Sequence, residues 1–401
     1  MRRKWLIAII GLLALVVVLV GACAKPTPSS TTLEPVKIAF IGPLTGPISG
    51  DGINMAKGVQ LAVTKANDEG GILGGRMVEV IEYDDQGLAE QSASVAKKAI
   101  DLDGVKAIVG VWGASELAAV KQVAKPAKIP VASAPAGAID AMDDWYPGWF
   151  HDGDNFPYNV RPMIMKMETT PGLSTIAIVY EDIEFCRQGA EYLHSIWDAP
   201  GSKVKIVGEV WHPMGAGDVK LEYTKAASYT PDAIFCAEFT PPAIMGAIKS
   251  LHEIGYKGAI FACTPAARKM IIDAVGVAAE GLNVGCALIE DPNVPANVDY
   301  CARYRAAYDD DDIYYVGMAS FENAQIIMQG FDKAGTDSDA AKIDQTVRNM
   351  GYKLLNGVTL EFTPQGFAKR GRTYLATVKD GKLTFVQYAP IAESDYALYL
   401  K

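Results

Sequence analysis

Short apolar runs alternating with stretches of helical periodicity constrain this chain more than any other feature. Residues 36–41 form a compact apolar run closed by Gly42-Pro43. Residues 53–67 then place Met55, Val59, Ala62, Val63 and Ala66 on one stripe at helical spacing. Residues 77–83 are strand-like again, and residues 88–100 put Ser92, Val95, Ala96 and Ala99 on a helix face. The pattern continues with a strand at 106–110, a helix at 115–124 and a strand at 129–133. It resumes with strand-like runs at 175–180, 204–210, 233–237, 259–262 and 282–287. Strands that are apolar on both faces, with helices between them, imply a parallel sheet covered on both sides. These units are too many for one such domain. The expected fold is therefore α/β, with two doubly wound parallel-sheet lobes.

Two segments break the rhythm. Residues 144–162 are dense in Trp, Phe, Tyr, Asp and Pro and fit a crossover between lobes. Residues 374–378 and 383–387, separated by Lys379-Asp380-Gly381-Lys382, read as a β-hairpin with an Asp-Gly turn.

The N-terminus addresses the compartment. Arg2, Arg3 and Lys4 precede an uncharged apolar run from Trp5 to Val20, followed by Gly21-Ala22-Cys23. This run is short for a membrane span and ends in small residues, as a secretory signal does. Val20-Gly21-Ala22-Cys23 resembles a bacterial lipobox, which implies a signal peptide at 1–22 and lipidation of Cys23. An uncleaved anchor helix is the alternative. Residues 23–35, rich in Ser, Thr and Pro, cannot bury a core and read as a flexible tether. The formal net charge of -10 becomes more negative once the three basic signal residues are removed. An acidic surface without clustered Lys and Arg argues against a nucleic-acid partner. Five cysteines remain after Cys23, without CxxC or metal-like spacing, and Cys236 and Cys263 sit in apolar runs as buried thiols.

The stretch Ile38-Ala-Phe-Ile-Gly-Pro-Leu-Thr-Gly46 resembles the opening strand and loop of type I periplasmic binding proteins, in their branched-chain amino acid and amide group. Lys57-Gly58, Ala66-Asn67, Gly70-Gly71-Ile72, Gly74-Gly75-Arg76 and Asp84-Asp85 continue the likeness, as do 105–110, Ile129-Pro130-Val131, Asp232-Ala-Ile-Phe and Ala278-Ala-Glu-Gly281. The resemblance covers nearly the whole chain after the tether. It implies two lobes joined by three hinge crossings, lobe 1 at 36–153 with 286–368 and lobe 2 at 154–285 with 369–401. It also implies a small-molecule ligand in the cleft, closure around it, an ABC transporter permease as partner, a monomer, and no cofactor or metal.

Candidate ligand-binding residues follow strand ends, where open α/β sheets bind ligands. The loop from Gly42 to Gly52 carries four glycines and Asp51, and is not a dinucleotide fingerprint. Trp112-Gly113-Ala114-Ser115 opens a helix, whose free N–H groups and Ser115 hydroxyl suit a carboxylate; Ser115 also reads as a plain N-cap. The resemblance adds Ser133, Pro135 and Ala136 at the second strand end, and Phe185 and Phe239 (or Thr240) as aromatics on the ligand body. Thr264 stands where the family keeps an acid for an amino acid's ammonium. Glu238, at a neighbouring strand end, reads either as its substitute or as a solvated charge. His151 lies in the aromatic crossover with Trp145, Trp149 and Phe150, which either pack or wall a larger ligand. Tyr315 completes the apolar side.

Other features carry less. The run Asp309 to Asp312 lacks the spacing of a calcium loop and reads as a solvated interhelical turn. His194, His212 and His252 are isolated and read as surface or packing residues. No nucleophile elbow, zinc triplet or paired-carboxylate motif appears, so an enzyme is not expected. The leading expectation is an extracytoplasmic binding lipoprotein of an ABC importer for a small organic acid or amide. An amino-acid binder and the sensing component of a signalling system remain alternatives.

Overall fold

The computed structural model describes residues 33–133, 145–151 and 156–396. Two sheets organise them. The first is wholly parallel, in the order β2-β1-β3-β4-β5, with β1 at Val36–Gly42, β2 at Val78–Asp84, β3 at Ala107–Gly110, β4 at Val131–Ser133 and β5 at Trp149–His151. The second runs β14-β13-β10-β9-β8-β6-β7. Its parallel strands are β6 (Thr175–Asp182), β7 (Lys205–Pro213), β8 (Ala233–Ala237), β9 (Ala259–Ala262) and β10 (Asn283–Cys286). The strands β13 (Arg372–Lys379) and β14 (Lys382–Pro390) form the expected hairpin and add antiparallel to β10. The second sheet is thus parallel in its main part with the hairpin added at its edge. A short ladder pairs β11 (Glu361–Phe362) with β12 (Ala368–Lys369).

β1 and β3 form the apolar centre of lobe 1. β1 is buried along nearly its whole length because helices cover both faces of its sheet. Helix α1 (Ser49–Asp68) buries the stripe of Met55, Val59, Ala62, Val63 and Ala66 that the sequence spacing marked. Its main partner is the late helix α10 (Tyr315–Ala334), which also packs on β3 and β4 and so returns to lobe 1. The two helices approach at Gly58: a Cβ there would lie 2.0 Å from the Gly317 carbonyl oxygen, so only glycine fits. Helices α2 (Ala89–Asp101) and α3 (Ala114–Ala127) pack together nearby.

In lobe 2, α4 (Phe156–Thr169) packs on β10 and β13, followed in sequence by α5 (Glu184–Trp197), α6 (Lys220–Ser228), α7 (Pro241–Glu253) and the short α8 (Lys269–Val275). The chain then leaves β10 for lobe 1 through α9 (Pro295–Tyr308), α10 and α11 (Ala340–Asn349), and returns at β13. With the passage from β5 to α4, this makes three crossings. They are tied to one another. The His151 N–H donates to the Gly366 carbonyl at 2.9 Å, Tyr158 Oη to the Ala368 carbonyl at 3.1 Å, and Thr373 Oγ1 to the Tyr158 carbonyl at 2.8 Å.

The aromatic segment at 144–162 is a correction to the sequence reading. It is not only a crossover: residues 149–151 add a fifth strand to lobe 1 because Trp149 and Phe150 are fully buried against its core. These rings pack and do not wall a cleft. All five described cysteines are buried, and none forms a disulfide among the described residues. Among the described residues no helix is long and apolar enough to cross a membrane.

Candidate functional site

The carboxyl ends of the strands of each sheet carry the loops that hold the candidate site residues. In lobe 1 the loop after β1 is shaped by Asp84, at the end of the neighbouring β2. Its carboxylate accepts the Leu44 N–H at 2.9 Å and the Thr45 hydroxyl at 2.5 Å. The loop closes so tightly that a Cβ on Gly52 would lie 2.1 Å from the Pro43 carbonyl oxygen. This delivers Asp51, in the first turn of α1, to Trp112, which follows β3. The Trp112 indole donates to Asp51 Oδ2 at 3.0 Å. Two residues proposed from sequence, 61 positions apart, therefore meet.

Asp51 also meets a residue that the sequence reading missed. Arg268 Nη1, from lobe 2, donates to Asp51 Oδ1 at 2.9 Å. Burial raises the Asp51 carboxyl above its ordinary range, against the opposing effects of the Arg268 charge and the Trp112 hydrogen bond. Arg268 follows β9 and the 3₁₀ turn Thr264–Ala267. Its place just past a strand's carboxyl end was the available signal.

Glu116 is the second missed group. The helix start at Gly113 was expected to present free donors to a ligand carboxylate. The chain also places a carboxylate of its own beside it. Glu116 is buried, accepts the Ser115 hydroxyl at 2.9 Å, and places Oε2 2.0 Å from where a Cβ on Gly113 would stand. Gly113 admits this carboxylate because it has no side chain. Ala114 and Ser115 are exposed beside it. A second carboxylate at this helix start would meet the Glu116 charge.

Ser133 and His151 form a buried pair at the ends of β4 and β5, with Oγ 2.7 Å from Nδ1. The His151 ring lies 5.5 Å from Phe367. Tyr315 is mostly buried at the start of α10, edge-on to Tyr314 at 4.8 Å. Pro135, Ala136 and Cys23 lie outside the described residues.

In lobe 2 two of the aromatic candidates lie together. Phe185 and Phe239 meet edge to face at 4.9 Å, both half-buried, with Phe156 5.6 Å behind Phe185. Glu181, at the end of β6, fixes Phe239 by accepting its N–H at 2.8 Å, the Thr240 N–H at 3.0 Å and the Thr240 hydroxyl at 2.6 Å. Thr264 is buried among the crossings: its N–H donates to Asn159 Oδ1 at 2.7 Å and its hydroxyl to the Gly285 carbonyl at 3.0 Å.

Glu238 corrects one of the two sequence readings: it is not a solvated charge. It is 1 % exposed, lies 2.9 Å from His212 Nε2 through each oxygen, and accepts the Tyr223 hydroxyl at 2.6 Å. His212, expected as an isolated surface or packing residue, is its buried partner. The run 309–312 is likewise not merely solvated: Asp310 pairs with Lys57, Asp311 with Arg305, and Asp312 accepts the Lys269 N–H at 2.9 Å.

Residues 35–382 match the family described as periplasmic binding protein. The Leu/Ile/Val-binding protein homolog 8 of Brucella suis is 23% identical over 387 residues, covering 91% of this chain and 94% of that protein. The structure is similar to an ABC transporter substrate-binding protein from Sphaerobacter thermophilus, with a TM-score of 0.80 at 21% identity, covering 89% of this chain and 98% of that one. It is also similar to a solute binding protein of an ABC transporter from Rhodopseudomonas palustris BisB5 in complex with 3,4-dihydroxybenzoic acid (TM-score 0.76, 18% identity, 90% and 99% coverage). At these identities the structural likeness speaks to fold. The family match carries further: the chain is a binding protein and not an enzyme, and it belongs to the periplasmic binding protein family.

Proposed function

We propose that this protein is an extracytoplasmic lipoprotein that captures a small organic acid or amide with an apolar, aromatic body and hands it to an ABC-type permease. It works as a monomer, anchored through Cys23, with lobe 1 at 36–153 and 286–368 and lobe 2 at 154–285 and 369–401. The observation that carries the ligand class is the commitment of Glu238 to His212 and Tyr223. That carboxylate already has its counter-charge, and Thr264 offers none in its place. A buried ammonium at that position would lack a partner, at a cost of several kcal/mol. The half-buried pair Phe185 and Phe239 supplies aromatic faces and apolar area instead. The name of the Rhodopseudomonas relative's ligand, an aromatic acid, is of the same class.

An amino acid is the second reading, favoured by the Asp51 carboxylate at the loop after β1 and by the name of the Brucella relative. Mass spectrometry of small molecules released on denaturing the purified protein separates the two. A carboxylic acid or amide without an α-amino group supports the proposal, and a branched-chain amino acid overturns it. Replacing Cys23 by Ala tests the anchor: lipid labelling is lost and the protein is released from the membrane, whereas persistent attachment rejects it.

A further inference from the structure

Arg268 belongs to lobe 2, between the 3₁₀ turn after β9 and helix α8. Yet its side-chain contacts are to lobe 1. Nη1 donates to Asp51 Oδ1 at 2.9 Å, Nη2 lies 3.8 Å from Asp312 Oδ2, and the guanidinium carbon stands 4.7 Å from the centre of the Tyr314 ring. The next residue adds a main-chain tie, the Lys269 N–H to Asp312 Oδ1 at 2.9 Å. Arg268 is only 9 % exposed. Gly50 makes room for it, since a Cβ there would lie 3.4 Å from Nη2.

We propose that Arg268 is an interlobe clasp, which holds the two lobes together through Asp51, Asp312 and Tyr314 and sets the balance between closed and open forms. The contact is made by protein groups alone, so it forms whichever ligand enters. Its chemistry suits a balance. A buried ion pair gains Coulomb energy but forfeits hydration of both charges, and the two nearly cancel. Opening rehydrates Arg268, Asp51 and Asp312 together, so the clasp does not lock. The guanidinium also keeps an unused donor: Nε is buried and has no hydrogen-bond partner. That further offsets the gain on closing. A ligand that contacts both lobes then needs only a modest preference for the closed form to tip the equilibrium. The clasp also bears on the lobe 1 site directly, because the oxygen opposite Arg268 on Asp51 holds the Trp112 indole. Closure and the placing of Trp112 are therefore coupled through one carboxylate.

The test is the distance between spin labels on the full chain, one at Asp101→Cys in lobe 1 and one at Lys249→Cys in lobe 2, both exposed positions. The protein is first freed of small molecules by unfolding and refolding. The expected result is a population at short distance that moves to longer distance in Arg268→Gln. Asp51→Asn should move it in the same direction, and the double substitution should move it no further than Arg268→Gln alone. Unchanged distance distributions in both single variants would overturn the clasp. If Arg268→Gln does not fold, Asp51→Asn and Tyr314→Leu decide the matter by the same readout. The measurement involves no ligand, so its outcome is independent of the ligand class.

Discussion

The imidazole Nε2 of His212 is equidistant, at 2.9 Å, from the two carboxylate oxygens of Glu238, and both side chains are buried inside lobe 2. Tyr223 closes the same carboxylate at 2.6 Å. Removing one partner strands the other as a buried polar or charged group, at roughly 3–5 kcal/mol for a true ion pair. Glu238→Gln should therefore lower the midpoint of denaturant unfolding while leaving the preference among ligands unchanged. A variant that keeps full stability but loses ligand selectivity would return Glu238 to the cleft.

The same pair makes stability depend on pH. Burial alone lowers the His212 pKa, but the hydrogen bond and charge of Glu238 outweigh it and lift it to about 9. The folded value lies above the ordinary 6.5, so the folded state binds the proton more tightly. The stabilisation is complete below pH ~6.5 and is lost as pH rises through about 9. Its size is on the order of 3 kcal/mol. Melting temperatures of the wild type should fall between pH 7 and pH 9.5, and His212→Gln should flatten that part of the curve. An equal slope in both proteins would assign the effect elsewhere.

A second buried pair sits where the chain returns to lobe 2. Arg370 Nη2 donates to Glu322 Oε2 at 2.7 Å, both nearly without exposure, and the Leu355 N–H donates to the other oxygen. Glu322 is in α10 of lobe 1, and Arg370 precedes β13 of lobe 2. Glu322→Gln should cost about 3–5 kcal/mol by leaving the guanidinium charge uncompensated. Replacing both, Glu322→Met with Arg370→Leu, should recover much of that loss. Additive losses in the double variant, read from denaturant midpoints, would show that the two act separately.

Sequence reading was strongest where local pattern and tertiary role agree. β1, α1 and the hairpin at 374–387 were legible because apolar spacing and the Asp-Gly turn act within a few residues. Trp149–His151 was not, because a three-residue strand rich in aromatics and followed by Asp and Gly has too short a run to show a period. Helix α10 escaped for the opposite reason: it is buried almost all round, including Glu322 and Asn323, so it carries no single apolar stripe. Among the candidate site residues, Asp51 and Trp112 could be named from strand ends, and Phe185 and Phe239 from the family resemblance. What spacing could not give was pairing across the fold: His212 with Glu238, 26 residues apart, and Arg268 with Asp51, 217 apart.

Which charges are already paired decides against an ammonium in lobe 2. In lobe 1, Glu116 occupies the helix start at Gly113, and Asp51 is shared between Trp112 and Arg268. In lobe 2, Glu238 is spent on His212, and the ends of β6 and β8 present Phe185 and Phe239. Stacking on such rings contributes roughly 0.5–1.5 kcal/mol beyond the area they bury. A ligand that binds only the folded protein adds about 2.7 kcal/mol of stability at a hundredfold excess over its Kd. In a thermal-shift panel, benzoate and its hydroxylated or amidated relatives should raise the melting temperature more than leucine, isoleucine, valine or phenylalanine. Phe185→Ala should remove most of the aromatic ligands' shift without lowering the melting temperature of the protein alone by a comparable amount, because this ring is only half-buried. If the amino acids alone stabilise the protein, and Asp51→Asn abolishes that effect, then the ammonium is received in lobe 1 and the aromatic-acid assignment fails.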